Sequence, residues 1–294
     1  MRLMTKSARS THEDLGNQTA ATGHLGAPAP LGRLYHAASS YYSMIARLAL
    51  AETGIGCEMV PVDIHARMAQ FAPDYVRLNR NMTVPTLVLP DRVIDESRNI
   101  LEWAFETIGL GVDAESAHWL DRHYAFPIDQ LTFGWLLSWN PVMRWMVPRR
   151  LAAAHRRLED LAIAHPTLAA AYAGRAAVFG ERIEIFDPAK ILALARTRRA
   201  QAIDLLDDLE QVLADGRAVL APPRYGCADV VFTAYLARIH FVGLGGEVRK
   251  RSALARYYGA MRSRRSFASA DIWTRLQPLR MIEGMLRSRK AHPA

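Results

Sequence analysis

The sequence predicts an α+β protein of two domains: a βαβ–ββα unit over residues 33–110, then an all-α helical bundle over 116–270. Three observations carry this. Short apolar runs of strand length, bounded by turn residues, occur before residue 96, and no convincing strand follows residue 116. The order of the first part is strand, helix, strand, link, hairpin, helix. Half of the 294 residues are hydrophobic, enough to build a core for two modest domains.

Residues 1–32 are rich in Ser, Thr, Gly, Ala and Pro and hold few large apolar side chains. Such a stretch buries too little surface to order itself, and it is expected to be a flexible leader. A first strand follows at 33–36, then a turn of small residues from Ala37 to Ser40. Tyr41, Met44, Ile45, Leu48 and Ala51 recur at helical spacing up to about Thr53, where Gly54 and Gly56 end the helix. The second strand, 58–63, contains Pro61, which suits an edge position because proline donates nothing to a ladder. Residues 86–89 and 93–94 form a hairpin around Pro90-Asp91-Arg92. Glu96-Ser97 then opens a helix with Ile100, Leu101, Ala104, Phe105 and Ile108 on one buried face.

After a linker at 109–115, helical periodicity marks 118–135, 149–165, 167–180, 188–215, 228–243 and 252–264, parted by Pro or Gly. Asp229 lies near the start of the 228–243 helix, with Gly226 at the capping position, and is expected to be structural. Trp135, Trp139 and Trp145 with Met143 and Met146 are expected to be core or dimer surface, with the lining of a substrate pocket as the alternative. The basic amphipathic tail, 271–294, carries Trp273, Leu276, Leu279, Ile282 and Leu286 among arginines. It is expected to fold back over the helical domain, with weak contact to a membrane surface as the alternative.

The formal net charge is +8. Residues 249–294 hold twelve Lys+Arg against two acids, so the remainder is close to neutral. That distribution excludes a basic nucleic-acid face spread over the fold. Eighteen apolar residues never run together, so no spanning helix is expected; the nearest stretch, 126–147, is broken by Asp129, Pro141 and Arg144. Cys57 and Cys227 lack metal-ligand or CxxC spacing, so no metal is expected. Two lone cysteines and no signal-type apolar run near Met1 point to the cytoplasm.

Two dipeptides carry chemistry. Val84-Pro85 precedes a strand, and a cis bond there would present the Val84 backbone to a ligand. Glu96-Ser97 puts a hydroxyl and free backbone N–H groups at a helix N-terminus, which suits a carboxylate. In this order and spacing the set resembles the glutathione transferase superfamily. The resemblance implies a thioredoxin-like first domain that binds glutathione through Val84, Pro85, Glu96 and Ser97. The runs 71–79, 84–88, 236–239 and 262–267 are similar to the zeta-related branch that includes reductive dehalogenases. That branch reads Ser-x-Cys-Ser at the start of the first helix. Counting back from Arg47, this chain reads Ser40-Tyr41-Tyr42-Ser43.

Ser40 thus falls on the family serine and Tyr42 on the cysteine, and these two are the candidate catalytic residues. A hydroxyl donating to the sulfur favours the thiolate over a thiol of pKa roughly 8.5; Ser39, Ser40 and Ser43 can each donate, and the match favours Ser40. Tyrosine cannot replace a cysteine that attacks the sulfur of an aromatic conjugate, because a phenolate forms no mixed disulfide. The resemblance implies a glutathione transferase acting on a small hydrophobic electrophile, aromatic or quinone-like, as a homodimer. A glutathione-dependent isomerase or lyase, and a non-catalytic binding protein of the same fold, are the other readings.

Overall fold

The computed structural model describes residues 30–291, so positions 1–29 of the expected leader lie outside the described residues. The first part runs β1 (Arg33–His36), α1 (Tyr41–Thr53), β2 (Glu58–Pro61), α2 (Pro73–Leu78), β3 (Thr86–Val88), β4 (Val93–Asp95) and α3 (Ser97–Thr107). The four strands form one sheet in the order β2-β1-β3-β4. β1 is parallel to β2 and antiparallel to β3, with Tyr35 opposite Thr86; β3 is antiparallel to β4, with Thr86 opposite Asp95. β2 is therefore an edge strand, where Pro61 is tolerated.

This register fixes where a site can form. The end of β1, the start of β3 and the end of β4 meet at one end of the sheet. The turn before α1, the Val84–Pro85 segment and the N-terminus of α3 therefore converge there. α1 and α3 pack together beneath the sheet. Met44, Ile45, Leu48, Ile100, Leu101 and Ala104 are buried, and each large apolar side chain so placed contributes about 1.5–3 kcal/mol. Ile108, expected on this face, is 43% exposed. α3 ends at Thr107, and Ile108 follows in a turn that leads to Gly109 at φ 75°.

The second part is helical: α4 (Ala114–Ala125), α5 (Ile128–Trp139), α6 (Pro141–Ala164), α7 (Ala169–Ile185), α8 (Ile191–Leu213), α9 (Cys227–Phe241), α10 (Gly245–Arg249), α11 (Ser252–Ser263) and α12 (Arg265–Ser269). The single helix expected over 118–135 is two. Phe126 is extended (φ −78°, ψ 122°), as a residue before proline prefers, and Pro127 parts α4 from α5. α6 starts eight residues before the expected 149. The Asn140 side chain accepts from Met143 N (3.0 Å) and Pro141 occupies the first turn, so the helix is started and then runs through Pro148.

α9 is buried all round from Cys227 to Ile239, as befits the central helix of a bundle. Its residues share one continuous core with α1 and α3. Asp229 accepts from Gly226 N (2.9 Å), Leu220 N (2.9 Å) and the Tyr257 hydroxyl (2.8 Å). Gly226 has no side chain to return a bond, so this cap is one-sided.

α6 and α7 form a long antiparallel hairpin that packs on the first domain. Ala154, Leu158, Tyr172 and Ala176 meet Phe71, Val76 and Met82. The Tyr172 hydroxyl donates to Phe71 O (2.9 Å), Arg150 donates to His65 O, and Arg157 donates to Arg67 O (2.6 Å).

The tail corrects its expectation. Ile272 and Trp273 are buried, and a final helix, α13 (Pro278–Ala291), lies across β2 of the first domain instead of over the helical domain. Asp63 N donates to Ser288 Oγ (2.9 Å), and a Cβ at Gly284 would stand 3.8 Å from that of Ala38. Leu279 (81% exposed), Ile282 and Leu286 face solvent. Among the described residues, no helix is long and apolar enough to cross a membrane.

Two histidines, His123 buried and His36 half-buried, make stability depend on pH. His36 is pulled down to about 3 by burial and then by the Arg47 charge, and His123 to about 3 by burial. Below pH 6.5 the unfolded chain binds two protons that the folded chain refuses until about pH 3. Stability is therefore expected to fall on acidification, by up to about 2.7 kcal/mol per pH unit for the pair. Urea unfolding at about pH 7 and about pH 5.5 reads this; equal stability at the two values would show the imidazoles to be accessible.

Candidate active site

Ser40 is the N-cap of α1 (φ −71°, ψ 125°), and its Oγ accepts from Ser43 N (3.3 Å). The cap leaves the Ser40 hydroxyl hydrogen without an acceptor among the described residues. Its neighbours are engaged differently. Ser39 Oγ pairs with His65 Nε2 (2.7 Å). Ser43 is fully buried and accepts from Ala37 N (3.3 Å). Of the three serines, Ser40 combines partial exposure, a free hydroxyl hydrogen and the positive end of a thirteen-residue helix.

Arg47 braces this turn from behind, a role the sequence did not disclose. It is buried and donates to Ala37 O (3.2 Å), Ala38 O (3.3 Å), Ala270 O (2.8 Å) and Asp271 O (3.0 Å). Burial lowers it to about 10, with Asp271 acting against this, so it is charged at neutral pH.

The Val84–Pro85 peptide is cis, and both residues are buried. The loop before it is held by α2. The Tyr75 hydroxyl donates to Thr83 O (2.5 Å), and Asn79 Nδ2 donates to Thr86 Oγ1 (2.8 Å) and Thr83 O (3.2 Å). The Tyr75 and Asn79 of the 71–79 run therefore shape the site without lining it.

Ser97 opens α3, is buried, and its Oγ lies 3.0 Å from the Tyr124 hydroxyl. Glu96 caps that helix at φ 64° and ψ 134°, a conformation non-glycine residues seldom adopt. Burial and then Asp95 push its carboxyl up, and the Arg175 charge opposes them.

Tyr42 lies on the first turn of α1, its ring parallel to that of Tyr124 (centroids 6.4 Å apart, 9° between planes). Burial, then Asp129 and Glu96, push the phenol up to about 12 against the Arg182 charge. It is therefore a neutral phenol at neutral pH and cannot serve as a base. The adjacent Tyr41 is buried, its hydroxyl 2.7 Å from His123 Nε2.

Ser40, Val84-Pro85 and Glu96-Ser97 thus stand at one end of the sheet, and Tyr42 lies beside them, its ring on Tyr124, whose hydroxyl meets Ser97, and its phenol acted on by Asp129, Glu96 and Arg182. The tryptophan cluster does not join them. Trp139 and Trp145 are exposed, and Trp135 lines a cavity of about 220 Å³ between α5 and α8 that none of the candidate site residues touches. Among the described residues, no group of His, Cys, Asp and Glu could hold a metal ion.

Against known proteins, residues 34–110 match the family model described as glutathione S-transferase, N-terminal domain. The chain is 32% identical over 251 residues to tetrachloro-p-hydroquinone reductive dehalogenase of Sphingobium chlorophenolicum, covering 81% of this chain and 95% of that one. Among solved structures, the beta-etherase LigF from Sphingobium sp. strain SYK-6 superposes with a TM-score of 0.60 at 16% identity, over 82% of this chain and 98% of that one. Glutathione S-transferase III in apo form gives 0.56 at 21% identity, over 84% and 98%.

Proposed function

The chain belongs to the glutathione S-transferase superfamily, and on that premise we propose that it is a transferase in which Ser40 activates the thiol of glutathione toward a hydrophobic, aromatic or quinone-like electrophile. The observation that carries this reading is the Ser40 hydroxyl, whose hydrogen has no acceptor among the described residues and which stands at the N-terminus of α1, at the end of the sheet to which the β1–β3 register also brings the Val84–Pro85 segment. The polar groups at that end of the sheet fit the tripeptide. The Val84 backbone offers a short antiparallel pairing to its cysteine residue. Ser97 and the α3 N-terminus suit its γ-glutamyl carboxylate, and Glu96 suits the adjoining ammonium.

The chemistry is nucleophilic substitution at carbon. The thiol loses its proton to solvent, the sulfur lone pair forms the C–S bond, and a leaving group such as halide departs with its electron pair. Ser40 lowers the cost of the first of these by donating to the sulfur, and the helix N-terminus adds to the same effect. Tyr42 offers an aromatic face to the electrophile through its parallel pair with Tyr124. Its phenol has no means of cleaving a thioether reductively, so the reaction ends at the conjugate. The same reading takes the protein to be a cytoplasmic homodimer, supported by family membership and by the two unpaired thiols, Cys57 and Cys227.

Titration of glutathione into the protein is expected to show saturable binding. Mass spectrometry of an incubation with chlorinated quinones is then expected to show a stable glutathione thioether. Glutathione recovered unchanged with an isomerised or cleaved product would redirect the assignment to an isomerase or lyase. No binding at about millimolar glutathione, near the upper end of ordinary KM values, would overturn it.

A further inference from the structure

The corner where α5 meets α6 holds two tryptophans in water. Trp139 is 53% exposed, Val142 66% and Trp145 61%. This corner is built rigidly. Trp139 packs on Trp135 (ring centroids 5.4 Å apart), which packs in turn edge-on against Phe241 (5.9 Å). The Asn140 cap starts α6. Arg144 crosses the corner to donate from Nε to Leu137 O (2.8 Å) and from Nη2 to Ser138 O (2.6 Å), which closes the last turn of α5. The fold therefore holds large apolar side chains outward, an arrangement that marks an interaction surface.

The charge around them is of one sign. No Asp or Glu occurs between Asp129 and Glu159, whereas Arg144, Arg149, Arg150, Arg156 and Arg157 do. Arg144, Arg149, Arg150 and Arg157 donate to backbone carbonyls rather than to carboxylates. Along α6, Val142, Trp145, Arg149 and Arg156 stand at i, i+3, i+7 and i+14, and all four are exposed. They make one strip roughly 20 Å long. The Arg149 guanidinium lies over the Trp145 ring (4.3 Å to the centroid) and donates to Trp145 O (2.9 Å), so cation and indole are presented together.

Indole beside guanidinium matches the chemistry of a membrane–water interface. The indole settles at the depth of the head groups, and the guanidinium pairs with phosphate oxygens. A second copy of this chain suits the strip less well. A two-fold contact would bring Arg149 and Arg156 toward their own equivalents, with no acid from Val142 to Arg156 to pair with them. We propose that the α5–α6 corner docks on an anionic lipid membrane, with Trp139, Val142 and Trp145 entering the head-group layer and Arg149 and Arg156 meeting lipid phosphates. The assignment is independent of the glutathione reading. It places the contact on the second domain rather than on α13, where Arg280 and Arg287 are already paired with Asp271 and Glu283.

Co-sedimentation tests it, with vesicles of phosphatidylcholine alone and of phosphatidylcholine mixed with phosphatidylglycerol. The wild type is expected to bind the mixed vesicles at least about tenfold more tightly, and to lose binding as salt rises. Arg149→Gln and Arg156→Gln should each weaken binding about fivefold, and Trp145→Ser about tenfold, with the thermal midpoint unchanged. Lipids brominated in the acyl chain should quench the wild type more than Trp145→Phe. Failure of the wild type to bind either vesicle, or full binding by all three variants, would overturn the proposal. So would loss of binding in Leu279→Ser/Leu286→Ser instead, which would move the contact to α13. Dissociation of a dimer by Trp145→Ser with vesicle binding intact would overturn it in favour of a second copy.

Discussion

Replacing Ser40 by alanine is expected to lower kcat/KM for glutathione conjugation roughly 10–100-fold at neutral pH. It should also raise the pKa of the bound thiol by about two units, equivalent to about 2.7 kcal/mol. The loss follows from geometry. Among the described residues the Ser40 hydroxyl hydrogen has no acceptor, whereas Ser39 is engaged with His65 and Ser43 is buried behind Ala37 N. Absorbance of the bound thiolate against pH reads the shift directly, and activity of the variant should recover toward wild type in alkaline buffer. Ser40 also caps α1, and loss of the cap costs about 1 kcal/mol of stability. A folding defect would lower activity at every pH, whereas a lost thiolate donor is rescued by base. Tyr42→Phe should leave the thiol pKa unchanged. A normal profile in Ser40→Ala with a raised one in Tyr42→Phe would assign activation to the tyrosine.

The largest effect on stability is expected at Asp229. Its carboxylate is buried and accepts from two backbone N–H groups and the Tyr257 hydroxyl. Burial pushes its pKa up, and the three donors and Arg264 act against that. Asp229→Ala would strand three buried donors between α9, α11 and the loop that precedes α9. At about 1–3 kcal/mol for each unsatisfied group, with partial relief by relaxation, the cost is about 3–5 kcal/mol. For a chain of this size that lowers the thermal midpoint by of the order of 10 °C. Asp229→Asn should fall between, since its carbonyl oxygen can still accept while its amide confronts a donor. A loss below about 1 kcal/mol in Asp229→Ala would show that water enters and serves these groups.

The first domain was legible because its signals are local. Pro61 marks an edge strand, Gly54 ends α1 at φ 71°, and the apolar spacing in α3 names its buried face as far as Phe105. Ile108 continues that spacing on paper but lies past the last helical turn. In the second domain, periodicity found helices yet joined α4 to α5, because Phe126-Pro127 reads as one more apolar step until the backbone before proline is considered. What no window of sequence could disclose is contact between distant segments. The α6–α7 hairpin shows helical spacing, but its docking on Phe71 and Met82 joins residues about ninety positions apart. Tyr172 reads as one more aromatic on a surface helix, and Arg47 as part of an apolar helix face. Each acquires its place only when the chain folds back on the first domain. α13 went astray for the same reason: amphipathic spacing says that one face is covered without saying by what.

The position of α13 bears on how the protein avoids joining others of its kind. β2 has a free side: Glu58 and Val62 turn their N–H groups inward to Gly32 and His36, so by alternation Met59 and Pro61 face outward. Pro61 brings no donor to that side, and the N–H of Asp63 is taken by Ser288. An open strand border is a template on which a stray chain can add itself and seed aggregates. Here α13 closes that border, so the sheet is shielded from strand addition only once α13 has been made and docked.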